Sequence, residues 1–255
     1  MTLGYGTPIE EIHCSPSDIP EQVYIAEEPL VLRGLVADWG IVNASADCDQ
    51  AVVDYLNKFY NGKPVNAFMA VPEAKGRIFY NDSVDGFNFV QSQVYLDDAL
   101  NKIIEIAQQP SHPTYYIGSL EIGNHLPGFS EQNNLNIERS EIRESIWLGN
   151  QSVVAPHFDF PDNLACCVVG ERRFTLFPPE QQQNLYIGPL DFTPAGQPIS
   201  MVDINHPDLT KYPRFADAQS SAMTTILKPG DAIFIPSMWW HHVEAMDPFK
   251  GSESK

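Results

Sequence analysis

The residues with the clearest chemical potential are an imidazole and a carboxylate two positions apart. His157 and Asp159 lie in the β-prone stretch Val154-Ala-Pro-His157-Phe-Asp159. Because residues i and i+2 of a strand point to the same face, the pair can present a nitrogen and an oxygen to one point. His-X-Asp is also common by chance, and taken alone it is more typical of a solvated surface strand. A metal site therefore requires a third ligand from elsewhere in the chain.

A candidate third ligand lies near the C-terminus. The turn Lys228-Pro-Gly-Asp231 leads into the apolar run Ala232-Ile-Phe-Ile-Pro236, which is followed by Trp239-Trp-His-His242. Exposing two indoles beside two imidazoles is unfavourable, so at least one histidine is expected in an apolar interior. A single buried histidine is more often a core residue, but a His-X-Asp strand in the same β-rich region favours a shared site. Two histidines and one carboxylate suit Fe(II), whereas a structural zinc site would recruit cysteines.

A third feature is a cation in the same β-rich region. Asn163 to Pro179 is predicted to form a hairpin whose two-residue turn, Gly170-Glu171, suits type II′ geometry. On the return strand Arg172 shares with Phe174 the face that is predicted to point into the core. A guanidinium among apolar side chains is unfavourable unless an anion meets it, and a bound dicarboxylate would do so through a bidentate contact. The alternative is that Phe177 marks the inner face and Arg172 faces solvent.

The elements that must position these residues are predicted to be mainly strands. The chain of 255 residues contains 21 Pro and 16 Gly, spread along its length, which is typical of many turns between short strands. Apolar spacing predicts helices at 49–60 and 94–108, and strands at 22–35, 65–71, 77–80 and 114–120. After residue 149 the pattern predicts almost wholly β structure, with no helical period of any length. We therefore predict one domain over residues 1–246, with a mixed α/β N-terminal portion (about 1–113), a β core (about 114–246) and a disordered tail at 247–255.

Composition excludes several classes of partner. The formal net charge of -18 works against nucleic acid or an anionic membrane as the main partner. The sequence has neither a signal-like N-terminus nor a run of about 20 apolar residues, so a soluble, cytoplasmic protein is predicted. Cys14 and Cys48 are isolated in the sequence. The adjacent Cys166 and Cys167 are predicted to be small buried hydrophobes on opposite sides of a strand rather than a redox pair.

As a set, these motifs resemble the JmjC-type, cupin-like 2-oxoglutarate oxygenases, in particular the asparaginyl-hydroxylase branch (factor inhibiting HIF) and its bacterial cupin-like relatives. The resemblance covers about residues 116–246 and is carried by Trp147-Leu-Gly-Asn150, Pro156-His-Phe-Asp159, Asn163, Gly170 to Pro179 and Pro229 to Glu244. It implies a mainly β fold with α additions, the double-stranded β-helix (jelly roll) of the cupins, preceded by the mixed α/β portion.

The resemblance also implies roles for individual residues. His157, Asp159 and His241 would be catalytic ligands of Fe(II), and His242 would point the other way along its strand. Arg172 and Tyr116 would hold the distal carboxylate of 2-oxoglutarate. Asn163 corresponds to an asparagine near this co-substrate. The implied activity is an O2-dependent hydroxylation of a protein or peptide side chain, or of a small molecule.

Two departures from the family pattern bear on activity. Val154 stands where the family often has a threonine, three residues before the first histidine. A further barrel strand is expected after His241-His-Val-Glu244, yet the sequence continues only to Lys255. A missing strand would leave an open edge, which a partner copy in a homodimer would cover.

These departures leave two alternatives to the oxygenase. The first is a catalytically impaired cupin, C-terminally truncated, that acts as a metal-binding or interaction module. The second is a metal-dependent cupin enzyme that uses no keto acid. Replacement of Arg172 distinguishes the second alternative from the oxygenase, because only the oxygenase needs that cation for co-substrate binding.

Overall fold

The computed structural model describes residues 6–107, 109, 111–135, 137 and 142–246. The strands are β1 (Thr7–Pro8), β2 (Glu10–His13), β3 (Leu30–Arg33), β4 (Val65–Ala70), β5 (Arg77–Ile78), β6 (Phe89–Val94), β7 (Thr114–Glu121), β8 (Ser145–Gly149), β9 (Val153–His157), β10 (Asn163–Cys166), β11 (Arg172–Phe177), β12 (Met223–Leu227), β13 (Ala232–Ile235) and β14 (Trp240–Ala245). The α-helices are α1 (Gly40–Asp47), α2 (Asp49–Asn57), α3 (Leu96–Ala107), α4 (Ile122–His125) and α5 (Phe215–Ser220).

Two facing sheets form the barrel. The larger sheet has the strand order β1-β12-β11-β14-β9-β5, and the smaller has β10-β13-β3-β2. One apolar cluster contains side chains of both sheets and fills the space between them; its buried members include Phe174, Leu176, Leu227, Val31, Ile233 and Ile235. The predicted double-stranded β-helix is therefore confirmed.

A third sheet, β6-β4-β7-β8, packs with helices α1 to α4 in a separate apolar cluster. The apolar stripe predicted for residues 94–108 forms α3, which buries Leu96, Ala99 and Leu100 in this cluster. The helix predicted at 49–60 is α2. Amphipathic spacing thus located both helices, since each has a single buried face.

The N-terminal portion also supplies strands to the barrel. β1 pairs with β12, β3 pairs with β13, and β5 pairs with β9. The strand predicted at 22–35 is shorter than expected, because Glu21–Ile25 forms a 3-10 helix and β3 begins at Leu30. Arg33 at the end of β3 donates to Asp231 across 2.7 Å, which ties this strand to the turn before β13.

The outer face of the larger sheet is covered by the connection between β11 and β12. Leu185, Val202 and Phe215 from this connection pack on Phe177 and Trp240 of the sheet. This connection contains the six-residue helix α5, which the absence of a helical period after residue 149 did not predict. Both faces of β11 are consequently buried.

The predicted hairpin at 163–179 is wrong. β10 pairs with β13 in the smaller sheet, whereas β11 pairs with β12 and β14 in the larger one. The Gly170-Glu171 turn carries the chain from one sheet to the other, and Gly170 adopts a φ of +65°. A tight glycine turn is needed for either route, so the local sequence does not distinguish a hairpin from a crossing.

Six strands of the described chain have a neighbour on one side only, and they include β8 and β10. β8 pairs with β7, and β10 pairs with β13. The chain leaves β14 between the starts of β9 and β11, since the Ala245 amide donates to Ser152 O (2.9 Å) and the Met246 amide to Glu171 O (3.0 Å). The predicted tail at 247–255 lies outside the described residues. No helix in the described part of the chain is long and apolar enough to span a membrane.

Candidate metal centre

Two strands of the larger sheet bring the three candidate ligands together. His157 ends β9 and lies directly opposite His241 of β14. One donor atom from each of His157, Asp159 and His241 lies within 4.8 Å of the others. His241 Nε2 is 3.6 Å from Asp159 Oδ2, and the two imidazole centroids are 4.2 Å apart. Within the described residues this is the one group of three metal-ligating side chains.

Backbone carbonyls fix the orientation of both imidazoles. His157 Nδ1 donates to Ala155 O (2.9 Å), and His241 Nδ1 donates to Trp239 O (3.1 Å). A carbonyl oxygen only accepts, so each Nδ1 carries the proton and each Nε2 keeps its lone pair. Burial lowers the pKa of both histidines, and for His241 the neighbouring His157 acts in the same direction. Both rings are therefore neutral near pH 7, which is the form that binds a metal.

Asp159 lies beyond the strand that carries His157. The two residues were predicted to share a strand, but β9 ends at His157, and a short connection carries Asp159. Its carboxylate is held by two side-chain amides, with Asn163 Nδ2 donating to Oδ2 (2.7 Å) and Gln197 Nε2 donating to Oδ1 (2.8 Å). Asn163, predicted to lie near the co-substrate, thus contacts a candidate ligand directly. Gln197 was missed, because no motif surrounds it and it lies 38 residues from Asp159.

The two adjacent histidines of β14 face opposite sides of the sheet. His241 lies opposite Leu176, whose side chain is in the core between the sheets. His242 lies opposite Thr175 on the covered outer face, as strand alternation predicts. Both are buried, at 5% and 2% exposure. Only His241 is placed to complete a site inside the barrel.

Arg172 and Tyr116 lie close enough for the charge of Arg172 to act on the Tyr116 phenol. Arg172 begins β11 on the face that carries Phe174 and Leu176, both of which belong to the inner core, so the predicted alternation is present. Burial raises the pKa of Tyr116, and the positive charge of Arg172 opposes this shift. Val154 lies opposite Val243, which packs against the inner core, so the position of the family threonine is apolar here.

A barrel of two facing sheets that directs two histidines and a carboxylate inward defines a cupin with a candidate non-haem metal centre. The comparison with protein families agrees, because the cupin-like domain model matches residues 16–252. The chain belongs to this cupin-like (JmjC) family, whose members include 2-oxoglutarate- and Fe(II)-type oxygenases.

Curated relatives extend over different shares of the chain. HSPB1-associated protein 1 of Homo sapiens is 36% identical over 112 residues, which is 43% of this chain and 22% of the relative. Lysine-specific demethylase 8 of Xenopus tropicalis is 26% identical over 252 residues, or 94% of this chain and 51% of the relative. tRNA wybutosine-synthesizing protein 5 of Mus musculus is 26% identical over 248 residues, or 88% and 69%. The chain thus spans less than two thirds of the first two.

Proposed function

We propose that the protein is an Fe(II)- and 2-oxoglutarate-dependent dioxygenase that hydroxylates a C–H bond of a protein or peptide side chain, or of a small molecule. The observation that carries this proposal is the cluster of His157, Asp159 and His241, whose donor atoms lie within 4.8 Å of one another at the inner face of the barrel. Two neutral imidazoles and a carboxylate are the ligand set that non-haem Fe(II) oxygenases use, and they leave positions open for co-substrate and O2.

The donor set fits the metal in protonation as well as in residue type. Both Nε2 atoms keep their lone pairs, because both Nδ1 protons are committed to carbonyl oxygens. Both oxygens of the Asp159 carboxylate accept a hydrogen bond from a side-chain amide. Bound Fe(II) would supply the oxidative chemistry that couples decarboxylation of 2-oxoglutarate to hydroxylation of the substrate.

The remaining roles belong to the side chains around the metal position. Arg172 binds the distal carboxylate of 2-oxoglutarate through its planar guanidinium, and Tyr116 donates to the same carboxylate. Burial supports this role for Tyr116, because it keeps the phenol protonated and able to donate. The inner core, including Leu176 and Val243, excludes water from one side of the site.

The test is succinate formation by the purified protein supplied with Fe(II), ascorbate and 2-oxoglutarate. The wild-type protein should form succinate, and His157→Ala should lose both iron binding and turnover. His206→Ala is the control, because the His206 side chain is 80% exposed and contacts Asp203 rather than a candidate ligand. Absence of iron binding in the wild type, or unchanged turnover in His157→Ala, would refute the proposal.

A second candidate is a cupin that keeps the metal site but acts as a metal-binding or interaction module without turnover. The observation that favours it is that each sheet of the described chain ends in strands with one neighbour, such as β8 and β10, so sheet edges are available for pairing. This reading predicts metal binding without measurable affinity for 2-oxoglutarate. Calorimetric titration of the metal-loaded protein with 2-oxoglutarate separates the two functions.

A further inference from the structure

The loop between residues 188 and 199, which we call the Gln197 loop, is fixed at its base beside the candidate metal centre. The Gly188 amide donates to Ile199 O (2.9 Å) and closes the loop. Ile199 forms a β-bridge with His157, and the next amide, that of Ser200, donates to Pro156 O (2.8 Å). The base of the loop is therefore attached to β9, the strand that carries a candidate ligand.

The far side of the loop is also anchored. The Phe192 ring stacks on Phe87 with centroids 4.4 Å apart, and Tyr80 donates its hydroxyl hydrogen to Phe192 O across 2.6 Å. Within the loop the Gly196 amide donates to Thr193 Oγ1 (2.8 Å), which closes a turn just before Gln197. Aromatic stacking and the two hydrogen bonds hold the loop, and with it residue 197, in a defined position.

Gln197 uses this placement to hold Asp159. Its Nε2 donates to Asp159 Oδ1 (2.8 Å), while Asn163 donates to the other oxygen (2.7 Å). An ionised carboxylate only accepts, so the amide group of Gln197 must point its NH2 at Asp159. Since Asp159 lies outside the β9 ladder, no strand pairing fixes its side chain. The two amides, which lie four and 38 residues after Asp159 in the sequence, do so instead.

We propose that Gln197 is a positioning residue for the metal centre: it acts through Asp159 and sets how tightly, and in which geometry, the centre binds a divalent metal. The proposal rests on the proposed function for the identity of the metal ligands. Its physical basis is that a carboxylate held on both oxygens loses little rotational freedom when a metal binds. Without Gln197, the carboxylate would lose that freedom on metal binding.

The experiment measures metal binding rather than turnover. The metal-free protein is titrated with Co(II) alone by calorimetry, and the visible absorption of the Co(II) protein is recorded. Gln197→Met keeps the side-chain length but removes the donor. We expect Co(II) affinity to fall by about 10- to 100-fold, the usual effect of losing a partner of a metal ligand. We also expect the absorption bands to shift, which a purely structural role of the loop would not cause.

Two further variants make the result decisive. Gln219→Met is the matched control, because Gln219 is a half-buried glutamine on α5, and it should bind Co(II) like the wild type. Gln197→Asn keeps the amide but shortens its reach, so it should also weaken Co(II) binding. This variant tests the proposal if Gln197→Met fails to fold. Wild-type affinity and an unchanged spectrum in a folded Gln197 variant would overturn the positioning role and leave the proposed function intact. Failure of the wild type to bind Co(II) would overturn both.

Discussion

Replacing the two adjacent arginines of β11 one at a time should separate co-substrate binding from stability. Arg172 lies on the inner face of the strand and Arg173 on the outer face. The Arg173 side chain is 6% exposed and donates to Glu244 across 3.0 Å. We expect Arg172→Gln to weaken 2-oxoglutarate binding with little change in thermal stability. We expect Arg173→Gln to lower thermal stability with little change in 2-oxoglutarate binding.

The two expected magnitudes follow from different physical terms. A hydrogen bond to a charged group contributes about 1.5–3 kcal/mol, so losing a bidentate contact to Arg172 should weaken binding about 100-fold or more. Breaking a buried ion pair costs about 3–5 kcal/mol. The Glu244 side chain is 22% exposed, which places the loss for Arg173→Gln at the lower end of that range. For a domain of this size about 3 kcal/mol lowers the Tm by about 6–12 °C.

The assay pairs calorimetric titration with 2-oxoglutarate, in the presence of redox-inert Mn(II), with thermal unfolding followed by circular dichroism. Both variants and the wild type are measured in the same buffer. If Arg172→Gln binds the dicarboxylate like the wild type, or if Arg173→Gln is the variant that loses binding, the inner face of β11 does not hold the co-substrate and the reasoning fails.

Three other predictions concern buried and half-buried groups. Burial lowers the pKa of His242 to about 3, so above that pH only the unfolded chain takes up this proton. The free energy of unfolding of the metal-free protein should be constant above pH 6.5 and fall below it, by about 2 kcal/mol at pH 5 from His242 alone. The lowered pKa values of His157 and His241 add to this loss, which urea titrations measure, and a flat profile would contradict the prediction. Burial raises the pKa of Cys166 to about 12 and that of Cys167 to about 11, so iodoacetamide at pH 8 should label them only after unfolding, as mass spectrometry will show. Trp240 is 1% exposed, so Trp240→Ala should lower the free energy of unfolding by about 3–5 kcal/mol. A decrease below about 1 kcal/mol in urea unfolding would be inconsistent with the packing of Trp240.

The grouping of the three candidate ligands could be predicted, because their residue types themselves indicate metal binding. His157, Asp159 and His241 are residue types that bind metals, and each is flanked by a β-prone stretch that fixes the direction of its side chain. The structure brings these three together. The same alternation places His242 on the other face. Residue type and strand alternation are enough to predict a site when both indicate the same position.

The rest could not be read from the sequence, because it depends on tertiary pairing. Both faces of β11 are buried, so its apolar pattern does not reveal that it pairs with β12 and β14 rather than with β10. The Gln197 contact depends on a loop whose course is set by stacking on Phe87, far away in the sequence. A glutamine in a turn-rich segment carries no local sign of such a role.

The adjacent histidines of β14 link strand register to the chemistry of the site. A slip by one residue turns every side chain of a strand to the opposite face, so it would bring His242 inward in place of His241. The slipped strand would still present an imidazole to the metal position. Loss of a metal ligand therefore does not disfavour the slipped register. The same slip would drive the Trp240 indole out of the outer cluster and into the barrel interior. The bulk of Trp240, next to the ligand, therefore selects the register in which folding completes the site.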